Sequence, residues 1–217
     1  MTEPILKLVN VSKKYEEQVL KDISFELEKG KSICIMAPSG KGKSTLLSIA
    51  GLLLAPTDGE IFINGVETSA LSDNEKSKLR SETIGFLFQH TQLCGALRAH
   101  DNISMPSFFN KKESRMSKQE INKQVDEMLT RFGLMERKYY FPNQLSIGQK
   151  RRIACARALF LKPEFIIADE PTNDLDEANK KTVIDALFEP IKAGESALLF
   201  ATHDEDVANM ADEIINL

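Results

Sequence analysis

The chain lacks any apolar run long enough to cross a bilayer; the longest, around Ile49 to Ala55, is far too short. A membrane role therefore requires a separate membrane protein. A basic excess is also missing. Lys and Arg number 28 against 32 Asp and Glu, a formal net charge of -4. Without a strong positive field nucleic acid is a poor primary partner, and none is expected. Cysteine is scarce: Cys34, Cys94 and Cys155 lie far apart with no C-x-x-C spacing, and two of them sit in apolar stretches. They read as reduced thiols of a cytosolic protein. Met1-Thr2-Glu3-Pro4 shows no basic region followed by an apolar one, so no signal peptide is expected. Internal repeats and low-complexity segments are absent as well. What is present, 217 residues of which 42% are hydrophobic and 28% charged, suits one globular domain with a sizeable core.

The most informative segment follows the apolar run Ile33-Cys34-Ile35-Met36. It reads Ala37-Pro38-Ser39-Gly40-Lys41-Gly42-Lys43-Ser44-Thr45. This is a phosphate-binding loop between a buried strand and a helix expected from about Ser44 to Gly51. Gly40 and Gly42 let the backbone approach an anion with its N–H groups pointing inward. Lys43 can reach the β- and γ-phosphates of a triphosphate, and the Ser44 hydroxyl can hold Mg²⁺. The helix dipole adds positive potential at the same place. The pattern G-x-x-x-x-G-K-[ST] has alanine at its first position here, which is tolerable if Ala37 has negative φ.

A second constellation lies far downstream. Phe165-Ile166-Ile167-Ala168 is a short apolar strand, followed at once by Asp169-Glu170. In a parallel α/β sheet, ligands bind at the C-terminal edge. Asp169 can serve a Mg²⁺ ion or its water shell, and Glu170 can polarise a water aimed at the γ-phosphate.

The fold class follows from the order of these elements: an α/β, P-loop NTPase core with a mostly parallel sheet. Residues 5–11, 23–27 and 61–63 alternate or run apolar between turns, and Asn64-Gly65 is a hairpin dipeptide, so these segments should form an antiparallel subdomain. Thr57-Asp58-Gly59 reads as a turn. Ile84 to Gln89 and Ala197 to Ala201 read as further core strands, and Ile214 to Leu217 as a last strand. Ser72/Glu75, Ser117/Glu120 and Ser146/Gln149 are capping boxes that open helices. The second helix carries Ile121, Val125, Met128, Leu129 and Phe132 on one face and ends at Gly133. The expected organisation is one domain, 1–217. A core with its antiparallel sheet occupies 1–90 and 162–217, and a helical insertion about 91–161.

Together these residues resemble the ATP-binding-cassette (ABC) ATPases over essentially the whole chain. Leu145-Ser146-Ile147-Gly148-Gln149 resembles the LSGGQ signature and stands shortly before Asp169-Glu170, as in that family. Gln89, Asn173-Asp174-Leu175-Asp176 and His203 resemble the Q-loop glutamine, the D-loop and the switch histidine. Tyr15 is placed like the aromatic that stacks on adenine. The resemblance implies an ATP hydrolase with ATP and Mg²⁺ as cofactors. Glu170 and His203 would be catalytic, and Ser44, Gln89 and Asp169 would serve the metal. Ser146, Gly148 and Gln149 would meet the nucleotide of a second copy in a sandwich dimer. It also implies an integral membrane permease that docks by the Q-loop region, and a cytoplasmic location, peripheral on the inner face of the cell membrane. Phe86-Leu87-Phe88-Gln89 and Asp101-Asn102-Ile103-Ser104-Met105-Pro106 look closest to the ATPases of lipoprotein release, macrolide and peptide export, and the cell-division complex. A soluble ABC ATPase of DNA repair or translation, or a low-turnover nucleotide switch, are the competing readings.

Three features call for structural attention. Ile147 replaces the first signature glycine, and its β-branch requires negative φ. Lys41 adds a cation between the loop glycines, where contact with phosphate or a partner and simple solvation are both open. Phe108 and Phe109 are either surface anchors for the membrane partner or packing residues of the helical insertion.

Overall fold

The computed structural model describes residues 3–38, 40–110 and 116–217. Ser39 of the phosphate loop and the charged run at 111–115 lie outside the described residues. The chain runs β1 (Leu6–Lys14), β2 (Gln18–Leu27), β3 (Ser32–Met36), α1 (Lys43–Ala50), β4 (Asp58–Ile63), β5 (Val66–Glu67), α2 (Asp73–Thr83) and β6 (Ile84–Leu87). It continues with α3 (Ala99–Ser104), α4 (Lys118–Arg131), α5 (Ile147–Leu159), β7 (Phe165–Asp169), α6 (Glu177–Lys192), β8 (Ala197–Ala201), α7 (Glu205–Ala208) and β9 (Glu213–Asn216).

Two sheets result. β2-β1-β4-β5 is antiparallel, as the alternating segments predict. β6-β7-β8-β3-β9 is parallel throughout. β3, β7 and β8 are nearly continuous apolar runs because both faces are covered, whereas edge strand β9 is largely exposed. Successive side chains point to opposite faces. Ile166, Ala168, Leu198 and Phe200 pack with α3 to α6 on one face. Phe165, Ile167, Leu199 and Ala201 pack with α1 and the antiparallel sheet on the other. The phosphate-loop strand β3 neighbours β8, not β7. That order brings the loop after β8 between the phosphate loop and the Asp169-Glu170 pair.

All three capping boxes close on both sides, at Ser72/Glu75, Ser117/Glu120 and Ser146/Gln149. On α4, Val125 and Leu129 are buried, followed by Phe132, and Gly133 takes a positive φ of 63° that ends the helix. Asn64 and Gly65 both have positive φ, the backbone a tight β4–β5 hairpin needs. The expected turn at Thr57-Asp58-Gly59 is different. Asp58 and Gly59 belong to β4, and the register with β1 slips between Val9 and Ser12. Gly59 sits at φ 95°, and a Cβ there would lie 2.5 Å from the Asn10 carbonyl oxygen. The glycine marks a bulge where two backbones touch, and sequence alone cannot separate that from a turn. β1 also continues to Lys14, through residues whose polarity reads as a break.

Cys34 and Cys155 are buried and Cys94 is exposed. Burial pushes both buried thiols up to about 12; a backbone hydrogen bond with Thr202 opposes this at Cys34, and Glu170's charge reinforces it. A thiol held that high is unreactive at neutral pH. Titration with a disulfide reagent should therefore modify one cysteine in the native protein and all three after denaturation. Rapid native labelling of Cys34 or Cys155 would contradict this packing.

Candidate active site

The phosphate loop leaves β3 at Met36 and enters α1 at Lys43. Gly40 and Gly42 have φ of 79° and 92°, so both occupy backbone that side chains disfavour. A Cβ on Gly42 would meet Leu20 Cδ2 at 2.9 Å, a second reason for glycine. Ala37 keeps a negative φ, which makes the missing first glycine harmless. No side chain caps α1 and no acidic residue stands in its first turn. Its first N–H groups are thus unspent and its dipole unopposed, the condition an anion site requires. Lys43 is buried, and its Nζ donates to the Ala37 carbonyl at 2.6 Å. An ammonium held there reaches across the loop. Lys41 is exposed.

Asp169 is the last residue of β7, and Glu170 follows it with φ 47°. Positive φ is uncommon for glutamate. It turns the carboxylate back over the sheet edge, where Glu170 is only 7% exposed and its N–H donates to the Ala201 carbonyl of β8 at 2.9 Å. Burial raises the Asp169 carboxyl above its usual range. A hydrogen bond with Ser44 opposes that, Glu170's charge adds to it, and Lys43 and Arg151 lower it. Ser44 and Asp169 therefore share one polar spot at the start of α1. From the neighbouring strand β8, His203 brings Nδ1 to 2.9 Å from Glu170 Oε2 while its ring is largely exposed. A buried carboxylate is thus linked to the surface through an imidazole.

The other predicted residues surround this edge. Tyr15 is 57% exposed, and the Lys13 ammonium lies 5.2 Å from its ring centroid. β6 ends at Leu87, so Gln89 stands exposed in the following loop, not at the strand end that the apolar run suggests. Ser146 caps α5: its Oγ accepts from the Gln149 N–H at 3.2 Å, and the Ser146 N–H donates to Gln149 Oε1 at 3.0 Å. Gln149 therefore uses its side-chain oxygen to close its own helix start. Ile147 is the first residue of α5, has helical backbone and is 65% exposed, so its bulk points away from the core. A Cβ on Gly148 would lie 3.4 Å from Leu175 Cδ2, so the signature packs against the segment after Glu170.

Two residues escaped the sequence reading. Arg151 and Arg157 are buried on α5. Arg151 Nη1 donates to the Phe88 carbonyl at 2.7 Å, and Arg157 donates to those of Thr91 and Gln92, both at 2.9 Å. The loop bearing Gln89 is thereby held at both ends by the helix that the signature opens. The available signal was two arginines inside a helix whose other residues from Ile153 to Leu159 are apolar.

This geometry has known counterparts. A family model described as ABC transporter matches residues 20–173, more than half of the chain. The chain belongs to the ABC transporter family. The lipoprotein-releasing system ATP-binding protein LolD 1 of Rhodopseudomonas palustris is 37% identical over 213 residues, 98% of this chain and 93% of that protein. The macrolide export ATP-binding/permease protein MacB of Agrobacterium fabrum is 38% identical over 222 residues, all of this chain but only 34% of that protein. Among solved structures, a dimeric post-hydrolysis state of the ATP-binding cassette MJ0796 bound to ADP and Pi superposes with a TM-score of 0.91 at 38% identity, covering 98% of this chain and 94% of that one. The expected fold is thus met. The chain is an ATP-binding, ATP-hydrolysing subunit of an ABC transporter, and the reading as a soluble repair or translation ATPase is not favoured.

Lys43→Ala should lose most ATP binding, since it removes the one buried ammonium of the phosphate loop. Tyr15→Ala should weaken binding by about 1–3 kcal/mol if adenine stacks on the ring as bases do on aromatics elsewhere. Calorimetry on the three proteins checks this; equal affinities would remove the site from this loop.

Proposed function

We propose that this ABC subunit binds Mg·ATP at the edge formed by the loops after β3, β7 and β8, and that two copies close over two nucleotides to drive a membrane permease. The Glu170–His203 contact at 2.9 Å carries the chemical part of the reading. Glu170 accepts a proton from the water that attacks the γ-phosphorus, as the bond to the bridging oxygen breaks and ADP leaves. His203 holds the Glu170 carboxylate in place and can donate to the γ-phosphate. Lys43 and the α1 N–H groups neutralise the charge gathering on the phosphate oxygens. The hydrogen-bonded pair of Ser44 hydroxyl and Asp169 carboxylate is an all-oxygen donor set that fits Mg²⁺, which keeps few protein ligands and takes the rest from phosphate and water. When bound, Mg²⁺ would supply positive charge that offsets the charge developing on the phosphate. Gln89, exposed in the loop after β6, would serve the same metal and water.

The second copy follows from the signature. The capping box uses the N–H groups of Ser146 and Gln149, so those of Ile147 and Gly148 would offer the anion site at the chain's surface, and exposed Ile147 would sit at the seam. The related cassette MJ0796 is dimeric with ADP and Pi. Glu170→Gln should bind ATP yet turn over very slowly, since an amide cannot take the proton. ATP should then accumulate a dimer on size-exclusion chromatography. Turnover near that of the wild type would take Glu170 out of the base role.

The permease surface is a groove of about 370 Å³ bordered by Leu53, Arg80, Phe86, Phe88, Met105 and Phe109. No helix among the described residues is long and apolar enough to cross a membrane. Phe108 and Phe109 are 73% and 68% exposed, which supports surface anchors over packing residues of the helical insertion. Exposed aromatics beside an apolar groove suit a helix from a membrane protein. The subunit would then lie on the cytoplasmic face of the membrane, with residues 91–161 acting as the helical subdomain that senses the partner. Phe109→Ser should leave the melting temperature of the isolated subunit unchanged and weaken co-purification with its permease. A destabilised subunit with intact complex formation would reverse that assignment.

A further inference from the structure

Arg151 is a charge in an unusual place. It is 3% exposed, in the first turns of α5, five residues after Ser146. A buried guanidinium persists only where charges and acceptors compensate it. One nitrogen donates to the Phe88 carbonyl, immediately before Gln89. The Phe88 ring in turn lines a small cavity with Ser44 and Asp169, and stacks on Phe86 with ring centroids 5.3 Å apart. Burial pulls the guanidinium below its usual range, while the charges of Asp174, Asp169 and Glu170 hold it up. Arg151 thus lies among three segments distant in sequence: the loop of Gln89, the carboxylate edge after β7, and the signature helix. Its neighbour in role, Arg157, grips Thr91 and Gln92 on the groove side of the same loop, and burial pulls its guanidinium below the usual range.

We propose that Arg151 is a positioning residue for hydrolysis: its guanidinium fixes the Phe88 carbonyl, and with it Gln89, against the edge bearing Asp169, Glu170 and Asp174, so that the amide and the carboxylate meet one water together. The physical reason is geometric. Gln89 is exposed and lies in a loop, so nothing in a strand or helix sets its reach. A single rigid donor at the preceding carbonyl removes that freedom. Small misplacements of a group that meets the attacking water have large effects on rate. This role rests on the assignment of Gln89 and Glu170 to the attacking water made above.

The test is a set of variants in the full chain: Arg151→Gln, Arg151→Lys, Gln89→Ala, and each Arg151 variant combined with Gln89→Ala. Arg151→Gln should keep its ATP affinity and lower kcat about tenfold, and Arg151→Lys, which keeps the cation, should recover most of that loss. In the Gln89→Ala background the effect of either Arg151 change on kcat should vanish, because both act through one group. Full kcat in Arg151→Gln overturns the proposal. So does a loss of the same size with and without Gln89, since a merely structural arginine would give that additive result. If Arg151→Gln is recovered unfolded, Arg151→Lys carries the same comparison: a deficit that persists undiminished without Gln89 overturns the role. Failure of the underlying reading looks different, because Gln89→Ala and Glu170→Gln would themselves retain wild-type turnover.

Discussion

Everything at the functional edge of this molecule answers to one electrostatic demand. Under the proposed mechanism a triphosphate and a carboxylate base must stand close together in a partly buried place, and each repels the other. The fold meets this by stacking compensation in layers. Unspent N–H groups of α1 and buried Lys43 would meet the phosphates in the proposed mechanism. Ser44 hydrogen-bonds Asp169, and His203 holds Glu170. Behind them Arg151 balances the carboxylates from within the protein. The positive φ of Glu170 belongs to the same arrangement. Local backbone strain of this kind is sustained only because the surrounding sheet over-determines it. Here the Glu170 N–H is fixed to Ala201 and the carboxylate to His203.

The strand order turns that demand into geometry. β8 lies between β3 and β7, so residues from three loops converge without any loop being long. The Asp204 side chain caps α7 immediately after His203, and Lys180 of α6 pairs with Asp204 at 3.3 Å. His203 is therefore not on a free loop; the residue after it is tied to the helix that follows the carboxylate edge.

Helix α5 does the corresponding work on the other side. Its N-terminus presents Ser146 and Ile147 outward, while its buried arginines seize the loop between β6 and α3. Asn102, fully buried at α3, donates to the carbonyls of Cys94, Leu97 and Arg98 and accepts from the Cys94 N–H. The stretch from Phe88 to Arg98 has no helix or strand, yet six of its carbonyls accept from side chains of two helices.

The sequence by itself determined the features whose causes are local. Glycines at positions of positive φ, a lysine and serine after them, carboxylates at a strand end and three capping boxes are each set by chemistry within a few residues, and each stands where the spacing puts it. The order of these motifs along the chain was also sufficient to indicate the family. Tertiary structure decided the rest. The bond between Glu170 and His203 spans 33 residues and depends on which strand neighbours which. The hold of Arg151 on Phe88 spans 63 residues and depends on a helix crossing the end of β6. Whether Gly59 makes a turn or a bulge, and whether Phe108 and Phe109 face core or solvent, likewise turned on what lies opposite them. Short-range spacing encodes dihedral preference and hydrogen-bond reach along one strand or helix, but the contacts between elements exist only after the sheets have chosen their neighbours.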